Sequence, residues 1–141
     1  VYVEISGVGK TGCMDGPFLV QLVSIGCAGA LGAVARYMLG YMITRRAGST
    51  FPFGTLVINV SGSFFIGLVF ALTARHVVSP AIQLILATGF LGGYTTFSTM
   101  SWEGVQLARG GRMWASVLYL GENVVLGILA VALGIAAGWW F

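Results

Sequence analysis

Three features place polar chemistry inside otherwise apolar stretches of this sequence: Arg36, Asn59, and the run Thr95, Thr96, Ser98, Thr99 and Ser101. A polar group moved into an apolar medium without a partner costs about 2–7 kcal/mol, so each requires a reason. An ionisable residue within a membrane span faces protein or water by default and marks a functional site, although arginine can also snorkel to a nearby interface. The amide of Asn59 has two N–H donors, which serve either to bond a neighbouring helix or to replace water around an anion. Hydroxyls donate from a rotatable bond, and Phe97, embedded in the run, can present the positive edge of its ring. Together these groups describe a dry, donor-lined track. The competing structural reading makes Phe97 and Met100 core residues and turns the hydroxyls back onto their own helix.

The elements that must carry these groups are membrane helices. Of the 141 residues, 57% are hydrophobic and 8% charged, against about 25% charged in a soluble domain. A membrane helix takes about 20 apolar residues, which leaves no room for a soluble catalytic domain. Residues 1–17 read as an N-terminal extramembrane segment and 18–141 as a single membrane domain, with spans at about 18–43, 53–74, 80–108 and 113–139. Ser79 and Pro80 form a helix start, as cap and first-turn residue. An unbroken helix from Pro80 to Ala108 would be about 43 Å long, well beyond a hydrocarbon core of about 30 Å. Gly92 and Gly93 followed by Thr95 and Thr96 supply the interruption. Beyond it Phe97, Met100, Ser101 and Gly104 share one helical face, and Ser98 and Trp102 another.

Other functions fit poorly. A net charge of +3 without a basic run excludes nucleic acid as a partner. The only histidine, His76, has no carboxyl or thiol beside it in the sequence, so catalysis is not expected. Cys13 and Cys27 fall at different depths, which argues against a disulfide. Gly7, Gly9, Lys10 and Thr11 resemble a phosphate loop, but the pattern requires glycine where Glu4 stands. The leading segment also lacks a basic stretch followed by an apolar run, the mark of a signal peptide. Small residues spaced four apart, Ala28 with Gly32, Ser63 with Gly67 and Gly134 with Gly138, allow close helix approach, either within one subunit or across a dimer. The bias of Arg45, Arg46, Arg109 and Arg112 on one side against Lys10 and Arg75 on the other is small and permits insertion in both orientations.

Three motifs resemble the small fluoride channels of the Fluc or CrcB family. They are the stretch from Gly29 to Tyr37 around Arg36, the stretch Phe51-Pro52-Phe53-Gly54-Thr55-Leu56 followed by Asn59, Gly62 and Gly67, and the most specific one, from Gly89 to Glu103. The resemblance implies an all-α integral membrane protein of the bacterial cytoplasmic membrane, with four transmembrane helices per subunit and the third broken mid-membrane. It further implies an antiparallel homodimer with two pores at the interface, passive export of fluoride that relieves its toxicity, and a structural sodium ion at the dimer centre. By the same resemblance Phe97 corresponds to a pore phenylalanine, Asn59 to the pore asparagine and Arg36 to a vestibule arginine. Gly92 and Thr95 correspond to the sodium site, through their backbone carbonyls. Ser98, Thr99 and Ser101 match hydroxyl positions of the motif, Met100 stands where many members have a second phenylalanine, and Asn123 corresponds loosely to a polar pore residue.

A small, strongly hydrated anion is transferred only if several donors replace its water together, and a narrow track of amide, hydroxyl and ring-edge donors meets that need. Unwound carbonyls at a helix break are a known way to hold sodium. The alternative from another class is a small multidrug transporter exporting a cation against protons, in which Glu122, within the fourth span, would be the relay. The role of Glu103, near the end of the third span, is open at this level.

Overall fold

The computed structural model describes residues 16–48 and 51–140, and every regular element among them is helical. The phosphate-loop pattern, Lys10 and Cys13 lie outside these residues. The first helix, α1 (Gly16–Ala47), is longer at both ends than the expected 18–43. Its C-terminal extension continues because arginine is a good helix former and Arg45 finds a partner one turn back: its guanidinium lies 5.5 Å from the Tyr41 ring centroid and donates to the Tyr41 hydroxyl at 3.1 Å. The helix ends where Gly48 takes a left-handed conformation, φ +55°, the usual conformation of a residue just past a helix C-terminus.

The second helix is α2 (Phe53–Ala74). Past its end His76 adopts φ +60°, and the N–H groups of Arg75, His76 and Val77 turn back onto the carbonyls of Ala71, Thr73 and Leu72. Arg75 also donates to the carbonyls of Gly138 (3.1 Å) and Trp139 (3.3 Å). That guanidinium therefore caps the last helix, whose C-terminal carbonyls carry partial negative charge.

The segment between residues 80 and 109 is built in pieces. A short helix, α3 (Pro80–Gln83), is capped by Ser79, whose side chain accepts from the Ile82 N–H at 3.3 Å, with Pro80 in the first turn. It runs on into a wider π-helical stretch, Leu84–Leu91, and a final turn, α4 (Gly92–Tyr94). Thr95 and Thr96 then leave the helix, with ψ 158° at Thr95 and φ −150°, ψ 115° at Thr96. Helix resumes as α5 (Phe97–Arg109), and α6 (Met113–Trp140) is the last helix among the described residues. The glycines at 92 and 93 thus remain helical, and the departure falls at the two threonines, whose β-branched side chains fit extended backbone. By length and composition, three helices among the described residues are suited to cross a membrane: Pro17–Ala47, Phe53–Ala74 and Met113–Trp140.

Packing follows two seams, α2 along α6 and α1 along the π-helical stretch. Both are lined by small residues. A Cβ added at Gly134 would run into the Phe64 carbonyl oxygen, one at Gly67 into that of Val131, and one at Gly138 would lie 2.6 Å from Ala71 Cβ. In the other seam a Cβ at Gly32 would strike the Phe90 carbonyl oxygen, and one at Gly93 that of Gly29. The four-residue repeats of small side chains are therefore used within the chain, where backbone meets backbone. Apolar clusters fill in around the seams: Leu56, Leu107 and Tyr119 in one, Ile58, Leu91 and Tyr94 in the other. Overpacking of such contacts costs about 1–3 kcal/mol. Gly134→Ala is expected to lower the melting temperature of the detergent-purified protein, whereas Gly121→Ala, with nothing within 4 Å of the added methyl, should hold or raise it, because alanine is the better helix former. Equal melting of the two variants would mean that the α2–α6 seam relaxes freely.

Candidate functional site

The site is organised around the two extended residues between α4 and α5. In an extended residue the N–H and C=O project toward the same edge, so one carboxamide can bond both. Asn59 does this: its Oδ1 accepts from the Thr96 N–H at 2.9 Å and its Nδ2 donates to the Thr96 carbonyl at 3.2 Å. This pairing also fixes the amide's orientation, because a peptide N–H can only donate and a carbonyl only accept. The second Nδ2 hydrogen goes to Asn123 Oδ1 at 3.1 Å, and Asn123 in turn donates to the Tyr119 carbonyl at 2.9 Å. On the same face of α2, Gly62 makes room for the extended strand, since a Cβ there would strike Thr95 Cγ2 and lie 3.2 Å from Tyr94 Cδ1. The threonine side chains complete the junction. Thr95 donates back to the Leu91 carbonyl at 3.0 Å, while Thr96 Oγ1 accepts from the Thr99 N–H at 3.2 Å and caps α5.

Two recesses open on either side of this junction. The smaller, about 240 Å³, is lined by Asn59, Ser63, Ile66, Thr95, Thr96, Phe97 and Met100. Phe97 is 78% exposed, so its ring forms an uncovered wall. Met100 is half-buried and packs against the cluster of Leu56, Leu107 and Tyr119. Ser63, read in the sequence only as a small packing residue, brings a hydroxyl to this recess. Gly127 of α6 faces this hydroxyl, and a Cβ there would meet Ser63 Oγ in ordinary van der Waals contact at 3.5 Å.

The larger recess, about 610 Å³, includes Arg36, Thr55, Ser98, Thr99 and Glu103 in its lining, and Thr96 reaches both recesses. Here Glu103 is the centre of a second polar cluster. The Thr55 hydroxyl donates to its Oε1 at 3.0 Å and the Tyr119 hydroxyl to its Oε2 at 2.6 Å. Reasoning from sequence passed over Thr55 and Tyr119 and gave Glu103 no role. A signal was nevertheless present: Thr55 with Asn59, Thr99 with Glu103 and Tyr119 with Asn123 are all four residues apart, so three helices each carry a polar pair on one face.

The remaining sequence candidates are dispersed. Ser101 is half-buried on α5 and lines neither recess. Asn123 is 6% exposed and reaches the smaller recess only through Asn59. Gly92 is exposed at the end of the helical segment. In a continuous helix its carbonyl would bond the Thr96 N–H, which Asn59 takes instead. Glu122 lies on an uncovered face of α6.

The chain matches the profile of a family described as "CrcB-like protein, Camphor Resistance (CrcB)" over residues 23–135. It belongs to the CrcB-like family. That stretch contains every candidate residue named above, from Arg36 to Asn123, and therefore both recesses. Among CrcB-like relatives, a protein of Acidobacterium capsulatum is 49% identical over 115 residues, covering 81% of this chain and 92% of its own length. One of Leifsonia xyli is 48% identical over 125 residues, with 88% and 86% covered, and one of Solibacter usitatus 48% identical over 116, with 82% and 95% covered. All three are named fluoride-specific ion channels. With its apolar helices, this CrcB-like chain is a multi-pass membrane protein.

The clamp makes a stability prediction of its own. Asn59→Leu leaves the Thr96 N–H and C=O without partners, at about 1–3 kcal/mol for each buried group, and is expected to lower the thermal midpoint measured by circular dichroism in micelles. Ser63→Ala, which removes a recess hydroxyl but not the clamp, should melt with the parent. An unshifted Asn59→Leu would show that the extended junction holds without the amide.

Proposed function

We propose that this protein is a passive, fluoride-selective channel of the bacterial cytoplasmic membrane that carries fluoride out of the cell and so protects it from fluoride toxicity. It is a conduit rather than an enzyme. The observation that carries the reading is the recess at the Thr95–Thr96 junction, where amide, hydroxyl and ring-edge groups meet in a chain whose relatives are named fluoride-specific ion channels. Fluoride is small and strongly hydrated, so transfer requires several donors to act together in a space too narrow for larger anions.

In this reading the segment from Pro80 to Arg109 is a fourth, broken crossing, and the functional unit is an antiparallel homodimer embedded in lipid, with two pores. The exposed Phe97 ring supports assembly, because the recess beside it is open and one chain supplies only part of a wall. Fluoride passes Phe97, Met100 and Asn59, with Ser98, Thr99 and Ser101 providing hydroxyls along α5. Arg36 attracts the anion from the larger recess. The carbonyls of Gly92 and Thr95 fit a sodium ion: they are hard oxygen donors at a helix break, and the Gly92 carbonyl has lost its helical partner to Asn59. Contributed by both chains, such a set would hold sodium structurally at the dimer centre.

The test is efflux from liposomes containing the purified protein, followed with a fluoride electrode and, in parallel, for chloride. Rapid fluoride loss with chloride retained is the expected result, and retention of fluoride by folded protein rejects the channel. Phe97→Leu should cut fluoride efflux at least tenfold, the scale of about 1.4 kcal/mol, because a ring edge is lost from an exposed wall. Met100→Phe should conduct, since Met100 borders the recess and a ring there offers a further edge. Full flux through Phe97→Leu would remove that side chain from the pathway.

A further inference from the structure

Both N–H groups of Asn59 are already committed, one to the Thr96 carbonyl at 3.2 Å and one to Asn123 Oδ1 at 3.1 Å. The two commitments differ in kind. The first belongs to the double pairing with Thr96, in which the amide oxygen also takes the Thr96 N–H at 2.9 Å, and breaking it would orphan a backbone group at the junction. The second is a single bond to a side chain. An anion in the smaller recess that is to be held by Asn59 must therefore take the hydrogen now given to Asn123.

Asn123 is built to keep that hydrogen. Its side chain is almost fully buried, and its own Nδ2 is tied to the Tyr119 carbonyl at 2.9 Å, one turn back on α6. This fixes the amide so that Oδ1 points at Asn59. No residue of α6 borders the smaller recess itself, and Asn123 is linked to it through its hydrogen bond to Asn59.

We propose that Asn123 is a positioning residue whose carbonyl oxygen acts as a resident competitor for the Asn59 donor, setting how tightly fluoride is held at the junction and how quickly it leaves. The proposal rests on the channel reading above. Physically, a donor aimed at a weak internal acceptor is kept dry and oriented, yet an arriving anion displaces the acceptor at the cost of one neutral hydrogen bond. The ion is held less tightly by that amount and departs faster, as conduction requires: binding strong enough for entry and weak enough for exit.

The experiment is fluoride efflux from liposomes as a function of fluoride concentration for the parent, Asn123→Leu and Asn123→Ser, with the purified dimers checked by size-exclusion chromatography. Removing the competitor should lower the half-saturating concentration about fivefold, the equivalent of about 1 kcal/mol for one neutral hydrogen bond, and lower the maximal flux as well. A merely structural role would reduce maximal flux without tightening saturation, and that result overturns the proposal. Asn123→Ser draws the acceptor oxygen back toward α6 by one bond, out of the 3.1 Å reach of Asn59, with a smaller change in polarity, so it decides the matter if Asn123→Leu fails to fold. An unchanged half-saturation in folded Asn123→Ser also overturns it. Parent vesicles that retain their fluoride would reject the channel reading itself, a failure separate from a conducting parent with unaltered variants.

Discussion

The double hydrogen bond between Asn59 and Thr96 is the constraint on which the rest of the site depends. Two consecutive residues outside a helix leave peptide groups without helical partners, and such backbone persists in an apolar interior only where protein or water takes those groups up. A single carboxamide on a neighbouring helix does so here, acting as a two-atom stretch of β-ladder. Several features are consequences. Gly62 must be small so that Thr95 and Tyr94 can approach α2. Thr96 is free to cap α5, because its backbone is already held. The Gly92 carbonyl loses the Thr96 N–H that a continuous helix would give it.

The second polar centre, around Glu103, sits across the junction and is organised differently. Asn59 is saturated by backbone and amide partners, whereas the Glu103 carboxyl is held by two hydroxyls from two other helices, Thr55 on α2 and Tyr119 on α6. Hydroxyls can rotate and exchange donor for acceptor roles, so this centre can rearrange without moving backbone. The site therefore joins a rigid element, which fixes position, to an adaptable one beside the larger recess that also receives Arg36.

Much of this was legible in the sequence because the relevant signals are local. Apolar runs bounded by Arg45, Arg46, Arg75 and Pro80 mark the long helices, and Ser79 before Pro80 reads as a cap for a reason of chemistry that survives in the structure. That an interruption is needed follows from helix length, and the window from Gly92 to Thr96 follows from its glycines and threonines. Its position within that window does not, because the outcome turned on a tertiary fact: Gly92 and Gly93 are kept helical where Gly93 meets the backbone of α1, while Thr96 is captured by Asn59. The partners of Glu103 were likewise out of reach, since they come from residues 48 positions before it and 16 after. Periodicity describes each face of a helix but not which faces meet.

The glycine-lined seams carry one more consequence. Where side chains separate two helices, the gap between them adjusts through rotamers, and a shift in temperature, lipid or sequence is absorbed by repacking. At Gly32, Gly67, Gly93 and Gly134 there are no rotamers to change, because peptide planes rest directly on one another. The spacing of these helices is consequently set by van der Waals contact of backbone on backbone rather than by side-chain repacking. A frame of that hardness holds neighbouring helices at a fixed distance, and this chain builds it from the residue that has no side chain.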